Sequence, residues 1–249
     1  MVGRKNYAWI NCGAKIMFGK NKVRKYEENV DSDGNAILQV HEVFYTFQGE
    51  GPYSGKPAVF VRLTGCNLRC NFCDTHWDDD RDAYWTSNDL IDKIAKVTPS
   101  TLTEKPLVVI TGGEPCRQNL RDFLLTLRVE GYMAQIETAG TIWQDCFERV
   151  HIVVSPKTPN VHPKFLEKRR NISWKYVLES GNISDDGLPN LSPQPGLSKK
   201  RLARPPINVP NYEIFIQPCD RDEEEANTAN LHAVRDSCLK HGYRASVQV

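Results

Sequence analysis

The sequence predicts an α/β protein: an open, partial (βα)6 barrel with the plan of an incomplete TIM barrel. Short apolar segments rich in β-branched residues alternate with segments of helical periodicity, which is typical of parallel βαβ units with right-handed crossovers. Roughly six such units are too few to close an eight-stranded barrel. Polar motifs also follow directly after the predicted strands, at the end where barrels of parallel strands carry their active sites.

The composition is that of an ordinary globular protein. The 249 residues are 40% apolar and 25% charged, with a formal net charge of +1. A charge this small gives no electrostatic argument for binding nucleic acid or a membrane surface. The eight cysteines are too sparse for a secreted disulfide framework. Since no membrane-spanning run or secretory signal is visible either, we expect a cytoplasmic protein.

The chain divides into an N-terminal extension, residues 1–35, and a barrel domain, residues 36–249. The extension begins basic and continues acidic, a composition typical of a solvated arm. Residues 36–47 form the first predicted strand, because β-branched and aromatic side chains dominate and a Gly/Pro loop follows. The next strand, Ala58–Leu63, leads directly into a cysteine-rich loop.

Helices and strands alternate in the remainder of the chain. Thr86 and Asp89 fit a capping box at the start of a helix, and a second helix runs from Leu120 to a stop at Gly131. The wholly apolar segment Leu107–Ile110 is typical of a strand buried in a parallel sheet. Further strands are predicted at 133–136, 152–154, 174–178, 213–216 and 244–249, a third helix at 222–241, and a long irregular insertion on the surface at 181–211.

The cysteine-rich loop places Cys66, Cys70 and Cys73 in a C-x3-C-x2-C spacing. Three neighbouring thiolates can hold an iron–sulfur cluster or a zinc ion. A [4Fe–4S] cluster usually takes four protein ligands, so three leave one iron open for a small molecule. The alternative is a closed zinc site in which His76 supplies the fourth ligand. A disulfide is disfavoured in a reducing compartment.

Four further polar motifs lie at predicted strand ends. Because the carboxyl ends of parallel strands meet at one face of a barrel, we expect these motifs to share a site with the cysteine loop. Motifs placed by chance would be scattered over both ends of the strands. Their common position after the strands therefore argues against a merely structural zinc site. The motifs are Thr111-Gly112-Gly113-Glu114-Pro115, Glu137-Thr138, Ser155-Pro156-Lys157 and Gln217-Pro218-Cys219-Asp220.

The cysteine loop and the Gly112-Gly113-Glu114 motif together resemble the radical S-adenosylmethionine (SAM) superfamily. The resemblance implies a barrel of the radical SAM type, with a [4Fe–4S] cluster whose open iron binds SAM. The segment at residues 42–51, above all Gln48-Gly49-Glu50-Gly51, resembles one family in particular. This is the 7-carboxy-7-deazaguanine synthase family, radical SAM lyases of queuosine-type deazapurine biosynthesis. The likeness extends over residues 36–248, apart from the 181–211 insertion.

This resemblance implies conversion of 6-carboxy-5,6,7,8-tetrahydropterin to 7-carboxy-7-deazaguanine with loss of ammonia. The implied catalytic residues are Arg62, Glu137 and Gln48, the planar guanidinium of Arg62 being suited to grip a carboxylate. The implied metal ligands are Cys66, Cys70 and Cys73 for the cluster and Thr75 for Mg²⁺. The residues implied to bind SAM are Phe72, Cys73, Asp74, Gly112, Gly113, Glu114, Ser155, Pro156, Lys157, Gln217, Pro218, Cys219 and Asp220. Those implied to hold the pterin are Phe47, Gln48, Gly49, Glu50, Arg62, Thr111 and Glu137.

The resemblance also implies partners. They are the pterin substrate, reduced flavodoxin or ferredoxin as electron donor, and a second copy of the chain in a homodimer, without membrane or direct nucleic-acid contact. Two alternatives stay open at this point. An activase of a glycyl-radical enzyme shares the cysteine spacing, although residues 48–51 argue against it. A zinc-stabilised module that binds nucleic acid through the basic N-terminal arm is the other.

The carboxyl terminus departs from the family pattern. The family usually ends in a stretch like Q-T-H-K-x-L/I, which supplies a histidine and a terminal carboxylate near the substrate. Here Ala245–Val249 stops where that stretch begins. We expect either a truncated chain or a different closure over the substrate.

Overall fold

The computed structural model describes residues 29–32, 34–73, 83–167 and 170–246, which contain ten strands and three α-helices. The helices are α1 (Ser87–Val97), α2 (Arg121–Val129) and α3 (Glu224–His241). The strands are β1 (Asn29–Val30), β2 (Ala36–Phe47), β3 (Pro57–Leu63), β4 (Ala83–Trp85), β5 (Leu107–Gly112), β6 (Ala134–Thr138), β7 (His151–Val154), β8 (Ile172–Leu178), β9 (Ile214–Pro218) and β10 (Arg244–Ala245).

The strands form one open sheet in which the central ones are parallel. β3 and β5 to β9 follow one another in parallel order, and β10 continues the sheet beyond β9. At the other edge β2 lies antiparallel to β3, and it also pairs with β1 and β4. No ladder within the described residues joins β2 to β10, so the barrel is open. The predicted class, an α/β partial barrel, is confirmed.

A hydrogen bond connects the loop after β2 to the segment after β10, at opposite sides of the opening in this sheet. The backbone N–H of Gly51 donates to Ser246 Oγ at 3.1 Å. Gly51 lies in the loop after β2, and Ser246 follows directly after β10. The loop that carries the predicted substrate-binding residues is therefore held against the last strand.

Side chains alternate along each parallel strand between a helix-facing and a cavity-facing side. Val59 and Val61 of β3 pack in the main core with Leu90 of α1. Phe60 and Arg62, which alternate with them, line an interior cavity instead. The period of two residues in β-strands thus separates the hydrophobic core from the polar interior. Cavity-facing side chains of the other strands include Thr111, Glu137, Lys175, Val177 and Gln217.

The predicted helix boundaries are largely confirmed. At the start of α1 the hydroxyl of Thr86 accepts from the Asp89 N–H at 3.2 Å, and the Asp89 carboxylate accepts from the Thr86 N–H at 3.0 Å. This is the predicted capping box, which satisfies two backbone donors of the first turn. At the other end of the chain α3 stops at Gly242, whose φ of 74° is the left-handed conformation that favours glycine.

Fewer crossovers are α-helical than the alternating pattern predicts. In the described residues the connections β6–β7, β7–β8 and β8–β9 contain 3-10 turns, at Phe147–Arg149, Pro163–Phe165 and Asn211–Glu213. The β7–β8 connection holds three prolines, which remove backbone donors and interrupt a helix. The α-helices therefore cover only part of the outer face of the barrel.

The long connection between β8 and β9, residues 179–213, which contains the predicted insertion 181–211, is irregular, and it lies only partly on the surface. Leu188, Leu202 and Ala203 belong to the main hydrophobic core. The hydroxyl of Tyr176 in β8 donates to the Ala203 carbonyl at 3.0 Å. Proline and glycine correctly predicted an irregular backbone, whereas the buried apolar residues are too widely spaced to show a period.

Two predictions fall partly outside the described residues. Most of the predicted N-terminal extension, residues 1–28, lies outside them, and β1 occupies the end of that extension. The predicted terminal strand 244–249 is observed as β10, with residues 247–249 outside the described part. None of the helices in the described part of the chain is long and apolar enough to span a bilayer.

Candidate active site

A cavity of about 340 Å³ opens at the carboxyl ends of the parallel strands. This is the face of the barrel at which the sequence motifs were expected to meet. The predicted site residues that line the cavity are Glu50, Arg62, Cys66, Cys70, Phe72, Cys73, Thr111, Gly112, Gly113, Glu137, Ser155, Lys157, Gln217, Pro218, Cys219 and Asp220.

The cysteine loop follows β3 and presents its three thiols to this cavity. Cys66 is 9% exposed, and burial raises the pKa of its thiol to about 12 despite a hydrogen bond from the Leu68 N–H. Burial also raises the pKa of the Cys70 thiol, an effect that the nearby Lys157 ammonium opposes. A thiol with a raised pKa becomes a thiolate ligand only when a metal centre compensates for the burial of its charge.

Gly112 and Gly113 bring the end of β5 into direct contact with the cysteine loop. A Cβ on Gly113 would lie 2.4 Å from the Gly65 carbonyl oxygen and 2.6 Å from Cys66 Cβ. Gly112 has a φ of 146°, and a Cβ there would lie 2.1 Å from the Leu63 carbonyl oxygen. The Glu114 N–H donates to the Gly65 carbonyl at 3.0 Å. Only residues without a side chain allow this approach.

The structure does not bring Glu114 into the cavity. The residue is 1% exposed, and its carboxylate accepts from Thr138 Oγ1 at 2.7 Å, the Ala139 N–H at 2.8 Å and the Cys116 N–H at 3.1 Å. Burial raises the pKa of this carboxyl, and the three hydrogen bonds oppose the rise. Glu114 therefore ties the end of β5 to the end of β6, and the two glycines are the part of the motif that faces the cavity.

The motif after β7 places a cation beside the cysteine loop. Lys157 Nζ donates to Ser155 Oγ at 2.5 Å and to the Ser155 carbonyl at 3.0 Å, and it lies 5.9 Å from the centre of the Phe72 ring. Burial lowers the pKa of Lys157, and the neighbouring Cys70 opposes that shift. Pro156 lines a smaller adjoining cavity together with Phe72 and Lys157.

Gln217 and Asp220 differ in how well their polar atoms are paired. Gln217 is 8% exposed, and its Oε1 is buried without a hydrogen-bond partner in the described part of the chain. A buried, unpaired acceptor is costly unless a ligand donates to it. Asp220 accepts from the Asp222 N–H at 3.0 Å and from Asn227 Nδ2 at 2.7 Å, which lowers the pKa of its carboxyl.

A buried charge network forms the polar part of the cavity. Lys175 Nζ contacts Glu137 Oε2 at 3.2 Å and also forms a short ion pair with Glu50; the three side chains are 9%, 14% and 12% exposed. Gln48 Nε2 donates to Glu137 Oε1 at 2.9 Å, and the Glu50 N–H donates to Gln48 Oε1 at 3.0 Å. Both ends of the Gln48 amide are therefore engaged, one with the Glu137 carboxylate and the other with the Glu50 backbone.

Glu137 is held ionised by this network. Burial by itself raises the pKa of its carboxyl, but the Lys175 ammonium and the Gln48 amide outweigh burial, so that the pKa lies below its ordinary value. The two carboxylates in turn raise the pKa of Lys175, against the effect of its burial. Glu137 is thus an oriented carboxylate acceptor whose buried charge is paired.

Lys175 was missed in the sequence, where it stands inside the apolar strand Trp174–Leu178. The available signal was a lone cation on the cavity-facing side of a buried strand. Glu42 was missed as well: its Oε1 accepts from Arg62 Nε at 2.6 Å, with the two side chains 33% and 25% exposed. Glu42 and Arg62 are directly opposed in the β2–β3 ladder, so the register alone could have paired them.

Four further predicted residues lie elsewhere or outside the described part. Phe47 is 61% exposed and its ring points to solvent, which leaves only its backbone for binding. Gly49 does not line the cavity, although its carbonyl accepts from Ser54 Oγ at 3.2 Å. Asp74 and Thr75 fall outside the described residues.

The donors present fit an iron–sulfur cluster with SAM. The three thiols line the cavity, and the glycine contact at Gly113 holds the end of β5 against the loop that carries them. Within the described residues no three His, Cys, Asp or Glu side chains converge on one point as a single metal ion requires. A cluster instead spreads its cysteines over separate irons. The unpaired Gln217 Oε1 can accept from an amino or hydroxyl group of a bound molecule.

The fold and the cysteine-bearing cavity define the class of protein. The family model described as the radical SAM superfamily matches residues 60–190, more than half of the chain. The chain therefore belongs to the radical SAM superfamily, which implies a [4Fe–4S] cluster and SAM.

Curated relatives narrow the class to one family. The 7-carboxy-7-deazaguanine synthase of Rhodospirillum rubrum is 41% identical over 241 residues, which cover 94% of this chain and 97% of that protein. The synthase of Rickettsia prowazekii is 32% identical over 242 residues, or 93% of each. The crystal structure of QueE from Escherichia coli superposes with a TM-score of 0.60 at 25% identity, covering 86% of this chain and 94% of that one. The chain belongs to the 7-carboxy-7-deazaguanine synthase family, as the resemblance predicted, and not to the activases or zinc modules.

Proposed function

We propose that this enzyme converts 6-carboxy-5,6,7,8-tetrahydropterin to 7-carboxy-7-deazaguanine and ammonia in the queuosine-type pathway. The product and ammonia together contain all atoms of the substrate, so the net reaction needs no external oxidant. One observation carries the proposal: the cysteine loop and the Lys175–Glu137–Glu50 network line the same cavity. A radical source and a site for a polar heterocycle thus face each other.

In this proposal Cys66, Cys70 and Cys73 ligate the cluster. The cluster and SAM supply hydrogen-abstracting radical chemistry when bound. The SAM side of the cavity is formed by the two glycines after β5, the Ser155–Lys157 turn after β7 and the end of β9. There Gln217 Oε1 is an acceptor in need of a donor, and the ring of Phe72 offers a face for a flat base.

Arg62, Thr111 and Glu137 hold the pterin. Arg62 and Thr111 are neighbours in the β3–β5 ladder and therefore present their side chains to the cavity side by side. The ionised Glu137 accepts from the N–H groups of the pyrimidinone edge, and Arg62 binds the substrate carboxylate. Gln48 acts through Glu137, because both ends of its amide are already engaged within the protein.

The magnesium ion is assigned to Thr75 by family pattern. One hydroxyl is a weak ligand for Mg²⁺, so substrate oxygens and waters would have to supply the other ligands. A radical SAM enzyme also needs a reductant, and we assign this role to reduced flavodoxin or ferredoxin. The proposed assembly is a homodimer in the cytoplasm.

The deciding experiment is anaerobic turnover with SAM, a chemical reductant and 6-carboxytetrahydropterin, with and without Mg²⁺. We expect 7-carboxy-7-deazaguanine and ammonia in equal amounts, and slower turnover when Mg²⁺ is omitted. A fully loaded cluster that cleaves SAM but yields no deazapurine would contradict the substrate assignment. An equal rate with a chelator present would contradict the magnesium site.

The substitution Arg62→Lys tests the carboxylate-binding role. A lysine keeps the charge but loses the planar pair of donors, so we expect the KM for the pterin to rise about tenfold or more. The KM for SAM should stay unchanged. The measurement is initial-rate kinetics with each substrate varied in turn.

Arg204→Lys is the matched control, because Arg204 binds Asp186 outside the cavity, with Nε 2.7 Å from the carboxylate. It should leave both KM values as they are. A normal pterin KM in Arg62→Lys would remove Arg62 from the substrate site.

A further inference from the structure

The irregular connection between β8 and β9 contacts the cysteine loop at three points. Gln194 Oε1 accepts from the Arg69 N–H at 2.8 Å, and Gln194 Nε2 donates to Cys70 Sγ at 2.9 Å. The Pro193 carbonyl accepts from the Asn71 N–H at 3.1 Å. One side of the loop is therefore fastened to a segment more than a hundred residues away in sequence.

The orientation of the Gln194 amide is fixed by its surroundings. The backbone N–H of Arg69 is a donor only, so the oxygen of the amide must face it and the NH₂ group must face Cys70. The backbone of Gln194 is anchored in turn, because its N–H donates to Ser192 Oγ at 3.2 Å and that hydroxyl donates to the Lys157 carbonyl at 2.7 Å. Gln194 and Ser192 are 6% and 4% exposed, so water does not replace these bonds freely.

We infer that Gln194 is a positioning residue for the iron–sulfur cluster, whose hydrogen bond to the Cys70 sulfur raises the reduction potential. The inference rests on the ligand role proposed for Cys70. Reduction adds negative charge to the cluster and its sulfurs, and an N–H donor stabilises the more negative state more strongly. Hydrogen bonds to ligating sulfurs and the groups that orient them are established determinants of cluster potential.

The substitution Gln194→Glu removes the donor to Cys70 and adds a negative charge, and Gln194→Leu removes the donor without adding a charge. Glutamate keeps an oxygen for the Arg69 N–H, replaces the donor facing Cys70 with a second acceptor, and is almost the same size. Gln194→Leu removes both bonds and the added charge. We expect a lower midpoint potential in both variants, with the reduction equilibrium shifted by up to about tenfold, or about 59 mV for a one-electron couple.

The measurement is an anaerobic redox titration of the loaded protein, followed by absorbance and electron paramagnetic resonance, with iron and sulfide counted per chain. Asn190→Ala is the control, because Asn190 accepts from Ser184 within the same connection without touching the cysteine loop. It should titrate at the wild-type potential. No pterin is needed, so a wrong substrate assignment cannot imitate either result.

The potential of the loaded fraction decides the question. Values below wild type in both variants support the inference. A wild-type potential in either variant overturns it. If neither folded variant retains iron, the inference is also wrong, because Gln194 would then be required for cluster binding rather than for its potential.

Discussion

A Lys175→Met variant should lose about 3–5 kcal/mol in free energy of unfolding, the range for breaking a buried ion pair on one side. The substitution leaves the largely buried carboxylates of Glu50 and Glu137 without the lysine that both of them contact. One of the two carboxylates must then take up a proton or move. Because Glu137 faces the proposed substrate, we also expect kcat/KM to fall by about 100-fold, as for a reacting group displaced by an ångström.

The pH dependence of this variant follows from the sign of the Glu137 shift. In the wild type the pKa of Glu137 is depressed, so its contribution to stability is present above the unfolded value of about 4.3 and is lost as the pH falls through the lower folded value. Without Lys175, burial dominates and the pKa of Glu137 rises. The acidic limb of activity and of stability should therefore move to higher pH in Lys175→Met. Urea unfolding and initial rates across a pH series measure both.

Two controls frame this result. Lys105→Met removes a cation 3.9 Å from Glu130 in a pair about half exposed, and it should change stability by less than about 1 kcal/mol. The double variant Lys175→Met with Glu50→Gln removes one of the uncompensated carboxylates and should recover part of the lost stability. Additive effects of the two substitutions would show that the network is not coupled.

A Gly113→Ala variant should lose most of its iron. The new Cβ would lie 2.4 Å from the Gly65 carbonyl oxygen and 2.6 Å from Cys66 Cβ, so the cysteine loop must shift away from β5. Overpacking of this kind costs about 1–3 kcal/mol. The larger consequence is functional, because Cys66 is displaced relative to the other two thiols. Iron and sulfide per chain after anaerobic reconstitution, with apo-protein melting as a second readout, measure the two effects.

Gly131→Ala is the matched control for the added methyl group. It lies at the end of α2 with a φ of 73° and has no heavy atom within 4 Å of a new Cβ. It should cost about 1–2 kcal/mol through its left-handed backbone while leaving iron content unchanged. Full iron content in Gly113→Ala would mean that the loop tolerates the displacement and that close contact with β5 is not required.

The residues of the site that lie at or just after the ends of strands were predictable from the sequence. Cys66, Gly113, Glu137 and Lys157 each follow or end an apolar strand, and parallel strands bring such positions to one face of the barrel whatever the details of the loops. The fold class rests on the same periodicity. The three helices predicted from capping and periodicity are observed, whereas the crossovers between β6 and β9, for which no helix was predicted individually, contain 3-10 turns.

Side chains that act from within strands or irregular segments were not predictable in the same way. Lys175 stands in the middle of an apolar strand, and its role depends on two carboxylates that approach from other elements. Gln194 lies in a segment whose composition predicts only the absence of regular structure. Glu114 was assigned to the cofactor by motif, whereas Thr138 and two backbone N–H groups engage it in the interior. In all three residues the role depends on contacts with partners that are distant in sequence.

The hydrogen bond between Gly51 and Ser246 spans the opening of the barrel. An open sheet has two free edges. Here the loop after β2 is hydrogen-bonded to the residue that follows β10. Glu50 precedes Gly51 in the chain, and its carboxylate pairs with Lys175 inside the cavity. Because Glu50 adjoins Gly51, a separation of β10 from the loop after β2 would also displace one of the carboxylates that pair with Lys175 in the polar part of the cavity.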